Sequence, residues 1–296
     1  MLRHVKGTGA LLLLLLLFLS LLLWGCGSST TVAPPPPAKA AKPAAAAPQP
    51  AAGECEPAEP ADLDKEGDDS SDLGWMVKNS VDQLLGQTKR TLYTNTGYST
   101  DPECLLALDC SYFVKQVLKA LPAKYYDALP KSSSSHTTAL AEDYYDYFSS
   151  LPTMSSGSDL WIRVEHIKDV QPGDIIAYKY TGKDKDSHDT TGHVMVAYTR
   201  AVQSQCKDTG QHWVYVADSA DSGHADDVRN QEGRYAKLFQ YTAYEGAGGK
   251  PSGVGIGKIW FNTGSDPYYR WKQCDGPKHS GAVIAIGRPM KPIKLK

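Results

Sequence analysis

The sequence lacks several features that would point to common classes of function. Its formal net charge is only −2, and it contains no basic helix and no alternation of basic and aromatic residues. This balance argues against nucleic acid as the partner, because nucleic-acid binding depends on clustered positive charge. No Cys-x-x-Cys pair occurs, which argues against a zinc site built from thiolates. The apolar run near the N-terminus, Ala10–Leu23, is shorter than the roughly 20 residues that a membrane-spanning helix needs.

The N-terminal segment is instead typical of an export signal. Arg3 and Lys6 precede the apolar run, and Leu-Trp-Gly-Cys ends it at Cys26. This arrangement resembles a bacterial lipoprotein signal peptide over residues 1–25, which implies cleavage before Cys26 and lipidation of its sulfur. An uncleaved signal anchor is the alternative, and both readings export the remainder of the chain. Gly27 stands where an aspartate would favour the inner membrane, so an envelope with two membranes would place the lipid in the outer one.

Export changes the interpretation of the six cysteines. If Cys26 carries lipid, five remain, and an odd number leaves at least one thiol unpaired. We expect Cys110 to stay free. In an oxidising compartment the other four can form two disulfides in three possible pairings; these four are Cys55, Cys104, Cys206 and Cys274.

The rest of the chain divides into a tether and one domain. Residues 26–72 begin with the lipidated cysteine and are rich in proline and alanine, without the apolar periodicity that a core requires. Residues 73–296 have the length and pattern of a single folded domain. Helical spacing of apolar residues predicts helices over 73–87 and 139–148.

A third predicted helix carries the candidate nucleophile. Asp109 is a good N-cap, and the apolar residues from Phe113 to Leu121 form one stripe that buries the helix. Cys110 then lies in the first turn, where the helix dipole favours thiolate, the nucleophilic form of the side chain. The alternative is a buried structural or disulfide-bonded cysteine at a helix start.

After about residue 160 the apolar pattern alternates with period two, which predicts strands. We expect five strands in an antiparallel sheet, and helices followed by such a sheet indicate an α+β fold. The predicted strands cover residues 175–178, 192–198, 212–218, 256–261 and 282–286. His193 opens the second strand and Asp218 closes the third. If these two strands pair antiparallel, the imidazole and the carboxylate lie together at one sheet edge.

Three segments carry a resemblance to a known family. Asp-Cys-Ser-Tyr-Phe-Val at 109–114 resembles the Asp-Cys-Ser-Gly-Phe-Val signature of the NlpC-type cell-wall peptidases. Pro-Gly-Asp at 172–174 resembles the turn before their histidine strand, and Gly-His-Val at 192–194 resembles their catalytic histidine segment. The resemblance implies a papain-like α+β fold, with the nucleophile helix packed on the antiparallel sheet, and no cofactor.

The resemblance also implies roles for individual residues. Cys110 is the nucleophile, His193 the base and Asp218 the group that orients the base, in a hydrolase that cleaves amide bonds in peptidoglycan stem peptides. Tyr93, Ser111 and Tyr112 are the candidate substrate-binding residues. The chain departs from the family at Tyr112, which replaces a glycine beside the nucleophile, at Asp218, and in the long spacing between Cys110 and His193.

Several alternatives remain open from the sequence. His224 can replace His193 as the base, since it follows Asp218 closely. A metal can instead bind His188, His193, His212 and His224 with nearby aspartates, although no thiolate or helical ligand spacing supports it. The protein can also be a catalytically silent cell-wall-binding lipoprotein, or an acyltransferase or esterase that uses the same thiol.

Overall fold

The computed structural model describes most of the predicted domain. The described residues are 72–94, 99–100, 105–132, 137–157, 159–187, 190–206, 210–246, 249–265, 267–272 and 276–291. The predicted signal peptide, Cys26 and the tether up to residue 71 lie outside them. None of the helices in the described part of the chain has the length and hydrophobicity that crossing a bilayer requires.

The helices precede most of the strands, as the sequence suggested. The α-helices are α1 (Asp72–Gln87), α2 (Cys110–Leu118), α3 (Lys124–Asp127), α4 (Ala141–Ser150) and α5 (Gly182–Ser187), and short 3₁₀ turns cover Ile167–Asp169 and Val228–Asn230. The strands are β1 (Arg90–Tyr93), β2 (Ser99–Thr100), β3 (Leu105–Leu108), β4 (Trp161–Arg163), β5 (Ile175–Tyr180), β6 (Gly192–Ala197), β7 (Val202–Gln203), β8 (His212–Ala220), β9 (Thr242–Ala243), β10 (Gly253–Asn262), β11 (Tyr268–Arg270) and β12 (Ala282–Pro289).

Two sheets organise the described residues. The larger has eight strands in the order β11-β10-β8-β6-β5-β12-β4, with β7 paired to β8, and the pairings among these described strands are antiparallel. The smaller has four strands in the order β2-β3-β1-β9, and β1 pairs parallel with β3 and with β9. Strand β3 leads directly into α2, so the smaller sheet delivers the start of the nucleophile helix.

The predicted fold class is therefore wrong. The described part of the chain is mostly β, and not a papain-like α+β domain with a helix packed on about five strands. Four-residue strands such as β1 and β3 are too short for periodicity to separate them from loop or helix. The pairing of β1 with β9 joins residues about 150 positions apart, which no local pattern reveals.

Apolar residues alternate across the large sheet and form a core on each face. In β5, Ile175 and Ala177 belong to the core that includes α1, α2 and α4, whereas Ile176 and Tyr178 belong to the second core. The turn before β5 contains Gly173 with a φ of +86°, and a Cβ there would lie 2.1 Å from the carbonyl oxygen of Gly74. Glycine is required at this turn, which fixes where β5 begins against α1.

Candidate active site

The nucleophile candidate Cys110 is the first residue of α2. Asp109 caps the helix, and its Oδ1 accepts a hydrogen bond from the Tyr112 N–H at 2.7 Å. The Phe113 N–H donates to the Asp109 carbonyl at 3.0 Å, which closes the first helical turn. The N–H of Cys110 belongs to the group at a helix start that has no carbonyl partner within the helix, so it is available to a ligand. Cys110 is buried, with 6% of its surface exposed.

One hydrogen bond fixes this helix start against the large sheet. The hydroxyl of Ser219, near the end of β8, donates to the carbonyl of Leu108 at 2.6 Å. Leu108 is the last residue of β3 and lies two positions before Cys110. The contact is buried, which makes it a rigid link between the strand that holds Asp218 and the segment that holds the thiol.

The base candidate His193 lies at the start of β6. Gly192 precedes it, and a Cβ at Gly192 would lie 2.0 Å from the Tyr178 carbonyl oxygen on β5, so no other residue fits that close approach. Because β6 and β8 pair antiparallel, the start of β6 lies beside the end of β8. The result is a buried contact of 2.6 Å between His193 Nε2 and Asp218 Oδ2.

The negative charge of Cys110 acts on the His193 ring. Since Asp218 occupies Nε2, Nδ1 is the ring nitrogen that can exchange a proton with the thiol. Burial lowers the pKa of His193, but the negative charges of Cys110 and Asp218 and the hydrogen bond with Asp218 outweigh it and raise the pKa to about 10. A thiol and an imidazole that interact in this way are the two groups that a nucleophile–base pair requires.

Asp218 is a fully buried carboxylate with three partners. Its Oδ2 contacts Nε2 of His193 and Nε2 of His224 at 2.6 and 2.7 Å, and its Oδ1 accepts from Arg229 Nη2 at 2.9 Å. Burial raises its pKa, but the charges of His224 and Arg229 and the hydrogen bonds from both histidines hold the pKa well below the usual range. Asp218 thus stays ionised and orients the His193 ring.

His224 contacts the same carboxylate oxygen of Asp218 as His193 does. The negative charge of Cys110, however, raises the pKa of His193. The His224 ring stacks on Trp271 with 4.7 Å between centroids, and the His224 N–H donates to Asp227 Oδ2 at 2.7 Å. The geometry favours His193 as the base.

A buried ion pair completes this side of the site. Arg229 donates to Asp227 through Nε and Nη2 and to the Gly253 carbonyl through Nη1. Burial lowers the pKa of Arg229, but the charges of Asp227 and Asp218 raise it overall, so the guanidinium stays charged. Asp227 offsets much of the Arg229 charge and leaves the Asp218 carboxylate available to the histidines.

The thiol opens into a cleft of about 230 Å³. Leu140 and Ala141, at the start of α4, form one wall. The full lining is Tyr93, Asp109, Cys110, Ser111, Leu140, Ala141, Thr190, Thr191 and Gly192. Tyr93 and Ser111, two of the predicted substrate-binding residues, therefore lie in the same cleft as the nucleophile.

The charges around the cleft disfavour further ionisation inside it. Burial raises the pKa of Tyr93, and the negative charges of Cys110 and Asp109 raise it further, so its hydroxyl stays protonated. Burial also raises the pKa of Asp109, although hydrogen bonds from the backbone of Tyr112 and Ser111 act in the opposite direction. The cleft combines a protonated phenol, a carboxyl group and the thiol.

Tyr112 does not line this cleft. Its hydroxyl contacts Thr137 Oγ1 at 2.6 Å, and Lys115 lies 5.6 Å from its ring centroid. The side chain is therefore held against the 137–140 segment. The bulk that replaces the family's glycine does not narrow the approach to Cys110.

Metal binding is possible at one group of described residues. Ligand atoms of His193, Asp218 and His224 all lie within 4.8 Å of one another. Of the other histidines considered from the sequence, His188 lies outside the described residues, and His212 contacts the Gly210 carbonyl at the opposite end of β8.

The cysteine predictions are tested only in part. Among the described residues, Cys110 is free and buried, and Cys206 is disulfide-bonded. The partner of Cys206 is not among the described residues, and neither are Cys55, Cys104 and Cys274. The pairing therefore stays a prediction.

The sequence did not identify several residues that shape the site. Arg229 and Asp227 lie in a segment without periodicity, and Trp271 follows the short strand β11. Asp-x-Arg at 227–229 is consistent with a turn capped by aspartate, which is the one local signal that was present. Ser219 carried no signal, because its partner is a backbone carbonyl 111 positions away.

No protein-family model, curated protein or solved structure matches the chain.

Proposed function

We propose that this protein is a lipid-anchored cysteine hydrolase of the cell envelope that cleaves an amide bond, with peptidoglycan stem peptides as the substrate class. The observation that carries the proposal is the placement of three side chains. Asp218 contacts Nε2 of His193 at 2.6 Å, and buried Cys110 lies at a helix start, where its negative charge raises the pKa of His193. A nucleophile, a base and an orienting group in this order are the requirement for nucleophilic acyl transfer.

The chemistry that follows is a two-step acyl transfer. The Cys110 thiolate attacks the carbonyl carbon of the amide, and the Cys110 N–H stabilises the negative oxygen. The His193 imidazolium gives its proton to the leaving amine as the carbon–nitrogen bond breaks, which leaves a thioester. Water then attacks the thioester while His193 accepts its proton, and the acid product leaves as the Cys110 thiolate forms again.

The substrate class and the location rest on the sequence. The signal segment ending at Cys26 implies a lipid anchor in the envelope, where peptidoglycan is the abundant peptide polymer with accessible amide bonds. The segments 109–114, 172–174 and 192–194 resemble those of NlpC-type cell-wall peptidases. The position of Tyr112 away from the cleft supports an open site over a silent one.

Incubation of the purified full chain with peptidoglycan fragments tests this proposal. Mass spectrometry of the products identifies the bond that is cleaved. We expect Cys110→Ala and His193→Gln to abolish product formation while circular dichroism shows a folded protein. His212→Gln is the matched control, because His212 lies on β8 outside the site, and it should keep full activity.

Two results would contradict the proposal. Product formation by Cys110→Ala at the normal rate would remove the thiol from the reaction. Turnover of ester or lipid acyl donors, with peptidoglycan fragments left intact, would reassign the same thiol to an esterase or acyltransferase.

A further inference from the structure

Two histidines contact the buried carboxylate of Asp218, each through its Nε2 atom. Nε2 of His193 and Nε2 of His224 both contact Oδ2, at 2.6 and 2.7 Å. The proposed hydrolase needs only the first of these contacts. The second histidine is buried, is held by contacts of its own, and has no part in the reaction described above.

We infer that His193, His224 and Asp218 form a site for a divalent transition-metal ion of the zinc type, and that this ion blocks the Cys110–His193 pair when it binds. Two imidazole nitrogens and one carboxylate oxygen form a common ligand set for zinc, with water as the fourth ligand. The inhibitory part of the inference rests on the proposed hydrolase function, whereas the metal site itself does not.

The ligand atoms are close to the geometry that the metal requires. Metal–ligand bonds of about 2.1 Å at tetrahedral angles separate neighbouring ligand atoms by about 3.4 Å. Each histidine therefore has to move away from Oδ2 by roughly 0.7 Å, which small rotations of the side chains provide. The metal takes the place of the hydrogen on each Nε2, and that hydrogen moves to Nδ1 or to solvent.

The surroundings hold the ligands in place. His224 is fixed by its stacking on Trp271 and by its N–H bond to Asp227. Arg229 occupies only Oδ1 of Asp218, so Oδ2 keeps its lone pairs for a metal. Partners of this kind orient metal ligands in known sites.

Arg229, the cation beside Asp218, also has a counter-ion of its own in Asp227. Two hydrogen bonds join Asp227 to Arg229 through Nε and Nη2, at 2.9 and 2.7 Å, so that the guanidinium charge is offset. The Asp218 carboxylate then faces two imidazoles in a buried space. His193, whose side chain is 10% exposed, is the most accessible of the three ligands and provides the route from solvent.

A metal on Nε2 stops the proposed reaction for a simple reason. The reaction needs His193 to release the proton on Nδ1 to the leaving amine. With a metal on Nε2, release of that proton leaves an imidazolate, which is much less stable than the neutral imidazole that forms without the metal. The acid step is therefore lost, although Cys110 keeps its position.

Zinc binding to the purified full chain, measured by calorimetry in a buffer with citrate to suppress weak surface sites, tests the site. We expect one tight site in the wild type and in Cys110→Ala. His224→Gln, which keeps a donor for Asp218, should weaken binding by about a hundredfold, since even loss of an outer partner costs 10- to 100-fold. His212→Gln is the matched control and should bind as the wild type does.

A second measurement needs no variant. ¹⁵N NMR of the histidine side chains should show two Nε2 signals moving when one equivalent of zinc is added. Absence of a tight site, or binding in His224→Gln as tight as in the wild type, would overturn the inference. Loss of binding in Cys110→Ala would also overturn it, because it would place the metal on the thiol.

The two proposals fail separately. If zinc binds through His224 but no peptidoglycan fragment is cleaved, the metal site stands and the hydrolase proposal falls. If fragments are cleaved at the normal rate with the site saturated by zinc, the hydrolase stands and the inhibitory role is refuted.

Discussion

Replacement of Asp218 by asparagine removes the charge of this side chain and nearly keeps its shape. The variant therefore separates the effect of the Asp218 charge on His193 from the orientation of the His193 ring. The amide has nearly the shape of the carboxylate and can still accept from Arg229, but it no longer carries the charge that faces His193. The centres of charge of the carboxylate and the imidazolium lie about 4 Å apart, and at an effective dielectric constant of about 20 their attraction is about 4 kcal/mol. Loss of that stabilisation corresponds to a rate about a thousandfold lower.

The assay is the initial rate of product formation from peptidoglycan fragments, measured across pH. We expect Asp218→Asn to lower kcat by about a thousandfold. The alkaline limb of the profile should also move from near pH 10 towards 6.5, because the contact with Asp218 contributes to the raised pKa of His193. A variant that is merely unfolded or loosened would lose rate without this shift.

The matched control is Asp226→Asn. Asp226 lies in the segment that follows β8 and pairs with Lys258. It should leave both the rate and the profile unchanged. A rate for Asp218→Asn within about tenfold of the wild type, alongside an inactive Cys110→Ala, would refute the role assigned to the carboxylate.

Two further predictions concern stability. The pKa of His193 is raised from 6.5 to about 10, so its contribution, on the order of 5 kcal/mol, is complete below pH 6.5 and is lost as pH rises through 10. The pKa of Asp218 is lowered from 3.8, so its contribution is present above that value and is lost as pH falls. Denaturant unfolding across pH should therefore give a maximum between about 4 and 6.5, and His193→Gln should remove the alkaline decline. Ser219→Ala should lower the free energy of unfolding by about 1 kcal/mol, because the hydrogen bond to the Leu108 carbonyl is lost. The same variant should lower kcat more than it raises KM. An unchanged kcat would mean that this hydrogen bond does not position the thiol.

The sequence predicted the contact between His193 and Asp218 but not the fold class. His193 and Asp218 stand at a strand start and a strand end within clear period-two runs, so antiparallel pairing alone brings them to one edge. Asp109 has a strong preference for the N-cap, which predicted the start of α2 correctly. Each of these inferences depends on a pattern among neighbouring residues, and each pattern is compatible with few local structures.

The fold depended on contacts that have no local signature. The Arg-Thr-Leu-Tyr strand β1 is half polar, and its parallel partners β3 and β9 come from distant parts of the chain. The direction of the Tyr112 side chain is set by Thr137, 25 positions away. Arg229 reaches Asp218 only because the irregular segment after β8 folds back over the strand end.

Two residues at the end of β8 position the imidazole of His193 and the segment that holds the Cys110 thiol. Neighbouring residues of a strand point to opposite faces, so Asp218 and Ser219 act on different sides of the large sheet. Asp218 holds His193 on one side, and Ser219 holds the carbonyl of Leu108, just before the nucleophile, on the other. Two consecutive residues of one buried strand therefore determine where both the imidazole and the thiol stand. The separation of Cys110 and His193 then depends on this strand, and not on the long segment that joins them in the sequence.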